Sequence, residues 1–232
     1  MTLSGSHFST MARNAKMPYI LSIDAEATSH STRSWAVAVG ICVISPEGNV
    51  TSKHRWSIMP CPESDVRFNH SDDTVCQFDP RINPNFYPYF DRPTYQEFWS
   101  RHLPVFLEFQ ASLKPPELAW NDISEVINSI YAKYTHVTLV SDCPDFDVNA
   151  FNRNLFFHTG NELGVRFPSI GGIRHALFNP NDAIKWLREG PAIRKAASDV
   201  QVHDHRPEND AHQTAIIAHI VLTRRLAGIT IH

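Results

Sequence analysis

Three segments far apart in this sequence carry acids and imidazoles at spacings that suit catalysis. The first is Ser22-Ile23-Asp24-Ala25-Glu26-Ala27-Thr28, at the end of an apolar run. On a strand, side chains two apart share a face, so Asp24 and Glu26 point together. Adjacent carboxylates repel unless a cation lies between them, and oxygen donors at this spacing suit Mg²⁺ or Mn²⁺ rather than Zn²⁺. Taken alone, a solvated strand end is the simpler account of the pair. The second segment is Val140-Ser141-Asp142-Cys143-Pro144-Asp145-Phe146-Asp147. Helix N-termini accommodate acids through free N–H groups and the helix dipole. Capping therefore explains any one of the three aspartates, but not all three. The third segment is His203-Asp204-His205-Arg206-Pro207-Glu208-Asn209-Asp210-Ala211. Asp210 falls in the first turn of a closing helix, and Pro207 keeps His205 outside it. Imidazole titrates near neutral pH, as a general base must. The chain has 13 histidines, so a helix cap beside an exposed histidine is the plain alternative here.

These segments need elements to hold them. Tyr19–Asp24 reads as a strand ending in an acid. Trp35–Ile44 is the continuous apolar run of a strand buried on both faces. Pro46-Glu47-Gly48-Asn49 is a turn signal, and Val50–Met59 reads as the next strand. Cys61–Pro93 is rich in Pro, Asn and Asp, holds Phe86, Tyr87, Tyr89 and Phe90, and has neither period. It reads as a long irregular loop, a kind that usually serves function or covers something. Thr94–Leu113 has helical composition interrupted by Pro104, which implies two pieces or a kink. Leu118, Ile123, Val126, Ile127 and Ile130 recur at helical spacing within Glu117–Tyr134. His136–Ser141 is a second buried strand, and Asp147–His158 a helix with Phe151, Leu155 and Phe156 on one side. Leu163–Phe178 is irregular. Helices follow from Pro180 to near Gly190, over Ala192–Ser198, and over Glu208–Leu226. Strands first, then alternating helix and strand, make a mixed-sheet α/β plan. Residues 1–17 read as a flexible leader and 18–232 as one domain with an insertion at about 60–93.

Asp-x-Glu on the first strand, Phe-Asp at a mid-chain helix start and His-x-x-x-x-Asp before the last helix occur here in that order. Together they resemble the DEDD exonuclease superfamily, histidine subtype, which includes proofreading exonuclease domains, ribonuclease T and oligoribonuclease. Thr28, two residues past Glu26, and Ala211, after Asp210, extend the match, which runs from Tyr19 to about Leu226. The resemblance implies a ribonuclease H-like fold: a mixed sheet flanked by helices, here with a long irregular insertion that is atypical. It implies a 3′→5′ exonuclease acting on single-stranded ends, RNA before DNA, and releasing nucleoside 5′-monophosphates. The short helical Phe98-Trp99 segment resembles compact exoribonucleases related to ribonuclease T, and the RNA preference rests on that subgroup resemblance, not on particular residues. Asp24, Glu26 and Asp210 would hold one Mg²⁺ or Mn²⁺ ion, with Asp24 bridging to a second that Asp147 supports. His205 would be the general base. Ala27, Thr28 and Phe151 would contact the substrate. Asp142 and Asp145 compete with Asp147, and the family's aromatic-then-acid pattern favours Asp147. Asp142 sits where relatives often have Asn, and so lies near the site. His203 competes with His205, but its spacing of seven to Asp210 puts it out of register. Many relatives pair as homodimers, although no self-complementary patch can be read from this chain.

Composition bounds these expectations. The 232 residues have a net charge of −3, with 42% hydrophobic and 19% charged residues, which excludes a disordered polyelectrolyte. The longest apolar runs are far too short to span a bilayer. Four sparse cysteines fit neither a metal finger nor a disulfide scaffold and point to an intracellular protein. The near-neutral charge argues against a protein held on long nucleic acid by a broad basic surface. Two divalent ions would bring it from −3 to about +1, enough to engage one chain end. The competing expectations are a DNA exonuclease, another phosphoester hydrolase on this fold, and an inactive nucleic-acid-binding domain.

Overall fold

The computed structural model describes residues 17–29, 34–59, 94–161, 163, 180–185 and 188–226. The leader through residue 16, the insertion at 60–93 with its aromatic cluster, and nearly all of 163–178 lie outside them. Met17, at the leader's end, is half-buried against the core.

Alternation along β1 (Tyr19–Ala27) decides which face of the sheet each residue serves. Leu21, Ile23 and Ala25 join the larger apolar cluster on one face, while Ile20 joins a smaller one on the other. Ser22, Asp24 and Glu26 follow Ile20 in phase. β2 (Ala36–Ile44) is buried at all nine positions, as its continuous apolar run requires. β3 (Val50–Ile58) completes an antiparallel meander through the turn that follows Ser45. β4 (Leu113–Lys114) adds in parallel to β3, and β5 (Val137–Val140) adds in parallel to β1. The sheet order is β4-β3-β2-β1-β5, with β2 central and the acidic end of β1 one strand away.

Helices cover both faces. Pro104 divides the 94–113 region into a π-helical turn (Tyr95–Trp99) and α1 (Leu103–Ala111), where it occupies the first turn and gives up no helix hydrogen bond. Trp99, Phe106 and Phe109 pack on Val37 and Ala38. α2 (Pro116–Lys133) buries Trp120, Ile123, Ile127 and Ile130 at helical spacing. With α3 (Pro144–Thr159), it covers the Leu21–Ile23 face. Phe151 and Leu155 of α3 are buried there, but Phe156, expected beside them, is 56% exposed. One residue at 100° of turn is enough to carry it out of the buried stripe. α4 (Pro180–Lys185) and α5 (Gly190–Val200) pack on the far side of α6 (Pro207–Leu226) through Ile184, Ile193, Ile217 and Val221.

α6 lies on the Asp24 face, with Ala211, Ala215 and Ala218 against Ile20, Cys42, Ile44 and Val140. Small side chains at this interface let the helix approach the sheet closely. Gly40 carries that approach to its limit: a Cβ there would stand 2.0 Å from the Pro207 carbonyl carbon. Gly40 is the ladder partner of Asp24. The first turn of α6, which carries Asp210, is therefore seated directly beside the acidic end of β1.

Candidate active site

Three pieces of chain meet at a cavity of about 430 Å³ lined by Asp24, Glu26, Asp142, Asp147, Asp210 and His205. Each is positioned by ordinary local structure. Asp24 and Glu26 share a face through the strand period, just before the β1–β2 register shifts at Ala27. Asp147 is buried in the first turn of α3, where the Cys143 N-cap offers no side-chain acceptor of its own. The Ser141 hydroxyl donates to Asp147 Oδ2, and the Cys143 N–H donates to the same oxygen at 3.3 Å.

Asp210 is likewise buried in the first turn of α6. Its Oδ1 accepts the Asp204 N–H at 3.0 Å and faces His203 Nδ1 at 3.3 Å. The strap before α6 is held by Asp204, which accepts from the Arg206 N–H, the Arg206 guanidinium and the Asn209 amide. Arg206 also reaches across to Glu108 of α1 with both Nε and Nη2. Those bonds hold the Glu108 carboxyl down at about 2. Fixed between these ties, His205 adopts φ 60°, a left-handed conformation that costs a non-glycine residue on the order of 1 kcal/mol or more. Its ring packs edge-on against Phe98 at 5.1 Å and lies 3.8 Å from the ring of His102.

The electrostatics are unfavourable without a counter-charge. Burial first, then the neighbouring carboxylates, push Asp24 and Glu26 well above the ordinary carboxyl range. Burial and Asp142 do the same to Asp147. Burial raises Asp210 to about 6, against the pull of His203. His205 moves the other way, down to about 4, through burial and the nearby His102 and His203, so its imidazole is neutral at pH 7. Among the described residues, Asp24 Oδ2 is buried and has no hydrogen-bond partner. A divalent cation fits this arrangement: the donors are oxygens, they converge, and one of them lacks any other partner. Asp24 with Glu26 and Asp210 forms one group whose ligand atoms all lie within 4.8 Å, and Asp24 with Asp142 and Asp147 forms another. The two groups share Asp24.

No protein-family model matches the sequence, and no curated protein matches it. Solved structures do resemble it. The nuclease domain of 3′hExo, a DEDDh family member bound to rAMP, aligns at a TM-score of 0.52 with 12% identity, over 94% of this chain and 96% of that one. The chain shares its fold with that nuclease domain. E. coli exonuclease I, in complex with a dT13 oligonucleotide, aligns at 0.49 with 13% identity over 91% of this chain. This chain spans only 42% of exonuclease I. The ribonuclease H-like mixed sheet implied by the three segments is thus the sheet observed.

Set in this fold, the expected site residues divide clearly. Asp24, Glu26, Asp147, Asp210 and His205 all reach the cavity, and Ala27 lines it. Asp145 is exposed and lies outside it, in line with the preference for Asp147. Thr28 does not line it. Its hydroxyl accepts the Trp35 N–H at 3.2 Å, and its own N–H donates to the Trp35 carbonyl at 2.9 Å, tying the two strand ends together. Phe151, expected at the substrate, is fully buried against Trp120 on the opposite face of the sheet. Helical periodicity placed it on the inner side of α3 but could not say whether that side met the cavity or the core. His203 is a correction in the other direction. A spacing of seven was expected to carry it out of register, yet its ring meets Asp210, because the left-handed turn at His205 folds the strap back. Asp142 is a full member of the second carboxylate group. Phe98, noted in the sequence only for a family likeness, lines the cavity, and Gly40 was not anticipated. A lone glycine in an otherwise apolar strand does signal close backbone approach, so Gly40 was open to inference.

Proposed function

We propose that this chain is a metal-dependent 3′→5′ exonuclease of the DEDD histidine type. It acts on single-stranded ends, with RNA preferred over DNA, and releases nucleoside 5′-monophosphates. One observation carries the proposal: carboxylates from β1, α3 and α6 converge in two groups that share Asp24, beside a neutral imidazole. The fold supports it, as do the order and spacing of the segments. The RNA preference rests on the resemblance to compact exoribonucleases, not on particular residues.

Two divalent ions, when bound, lower the pKa of water and neutralise charge on the scissile phosphate. Asp24, Glu26 and Asp210 would hold one, and Asp24, Asp142 and Asp147 the other. His205 accepts the proton of the attacking water at a ring nitrogen, which the neutral imidazole leaves free. Its packing against Phe98 and the bonds along the strap keep that ring from turning away. The Asp204 N–H and His203 orient Asp210. Ser141 and the Cys143 N–H fix the Asp147 carboxylate. Ala27, at the rim, is placed to approach the terminal nucleotide.

The test is a time course on 5′-labelled single-stranded RNA and a matched DNA oligonucleotide, with Mg²⁺, Mn²⁺ or chelator. A ladder shortening from the 3′ end with metal and none with chelator is the expected result, with RNA cleaved faster. Equal or faster DNA cleavage would move the substrate class to DNA. No shortening of either would leave a nucleic-acid-binding domain. Sedimentation of the full chain tests the homodimer that the resemblance implies.

A further inference from the structure

The cavity wall carries a second, chemically different donor cluster. His203, His205 and Asp210 each offer a ligand atom, all within 4.8 Å of one another. Two imidazoles and a carboxylate are a donor set for Zn²⁺, whereas the neighbouring carboxylate groups suit harder cations. The span also fits. Two donors bonded to one tetrahedral zinc at about 2.0–2.1 Å stand roughly 3.3 Å apart. His203 Nδ1 and Asp210 Oδ1 are 3.3 Å apart.

The cluster is preset rather than floppy. The Asp204 N–H fixes Asp210 Oδ1, and His205 is held by its left-handed backbone and by Phe98. The His203 ring packs edge-on to that of His205 at 4.7 Å. His203 is 44% exposed, so an ion can arrive from solvent, while Asp210 is 2% exposed and closes the inner side. Three protein ligands leave the fourth tetrahedral position open to water.

We propose that His203, His205 and Asp210 form a Zn²⁺ site that shares Asp210 with the all-oxygen donors and silences the nuclease when filled. A filled site would occupy the lone pair of the candidate base and draw Asp210 away from its partners. The binding stands on the geometry alone, and the silencing rests on the nuclease proposal.

Co²⁺, a spectroscopic stand-in for zinc, separates the two. Titrated into the full chain, it should raise the visible absorption of a four- or five-coordinate nitrogen-containing site. Equimolar Zn²⁺ should displace it and excess Mg²⁺ should not. His203→Gln and His205→Gln should each abolish the band, with zinc affinity falling roughly tenfold or more. No band, a band unchanged by His203→Gln, or displacement by Mg²⁺ would overturn the site. Circular dichroism checks that the variants fold. If His203→Gln does not fold, imidazole proton resonances of the wild-type chain decide. Zn²⁺ should shift two of them, and none shifting would overturn the site. In the RNA time course with Mg²⁺, added Zn²⁺ should slow the wild type about tenfold or more, and His203→Gln far less relative to its own zinc-free rate. A band without zinc inhibition overturns the silencing. A band with no nuclease activity at all overturns the nuclease proposal and leaves the zinc site standing.

Discussion

The two sides of the cavity are built by different means. On the carboxylate side, Asp24 and Glu26 are paired to β2 on a strand that β5 flanks up to Ser22, and Asp147 is locked by the Ser141 hydroxyl and the Cys143 N–H. Backbone periodicity sets those positions, and burial makes them costly to move. On the imidazole side, residues 201–206 form no regular element, and Asp204, Arg206 and Glu108 hold them through side chains that water partly reaches. The difference teaches where precision and adjustability reside. The buried side holds like charges together against repulsion, and the strap holds its imidazoles by side-chain ties that can be cut one at a time without unfolding the sheet.

Replacing Asp24 strikes the rigid side at its shared residue. Asp24→Asn should reduce metal-dependent cleavage by on the order of 10³-fold or more. Without metal, the same change should raise the melting temperature, because one buried like charge is removed. A melting temperature that falls instead would mean the carboxylates are not in conflict. Gly40→Ala attacks the joint between the two sides. The added Cβ must push the start of α6 away, at about 1–3 kcal/mol in urea unfolding. A shift of roughly 1 Å in Asp210 should lower turnover by about 10²-fold.

Acidity and metal should distinguish the sides further. The carboxyl of Asp210 lies near 6 in the folded chain against an ordinary 3.8, and Asp24, Glu26 and Asp147 are displaced in the same direction. A raised carboxyl pKa favours the fold below the ordinary value, and that contribution disappears as pH rises through the folded one. In chelator, the melting temperature relative to that of Asp210→Asn should therefore fall as pH climbs from about 4 past about 6, the comparison cancelling His205 and the other histidines whose lowered pKa values act in the opposite direction. Mg²⁺ or Mn²⁺ should restore it strongly above that window and little below it, read by thermal melts at several pH values. An equal metal effect at both ends would deny that the cation replaces the protons. The smallest effect belongs to the strap. Arg206→Met should cost under about 1 kcal/mol, since solvent screens its ion pairs. It should lower turnover several-fold while leaving metal affinity at the Asp24 groups unchanged.

How much of this was legible in the sequence follows the same division. Asp24 and Glu26 could be paired because a strand's period is two, and Asp210 could be placed because it opens a helix after Pro207, while Asp147 was chosen over Asp142 and Asp145 only through the family's aromatic-then-acid pattern. The fold class followed from strand order and helix spacing. Phe151 was misplaced because helical periodicity tells an inner face from an outer one, not which inner surface it meets. His203 was misjudged because residue counting along a loop assumes an ordinary backbone, and His205 does not have one.

What the sequence determined by itself was therefore local: which residues are acids, which face of a strand or turn of a helix they occupy, and in what order they come. Those properties depend on neighbours within a few residues. Only the tertiary structure decided that Gly40 admits the start of α6 beside Asp24, that Asp142 joins the carboxylates, and that His203 meets Asp210. Each depends on two segments well separated along the chain coming within a few ångströms, and close packing of whole elements, rather than the preference of any residue, fixes such distances.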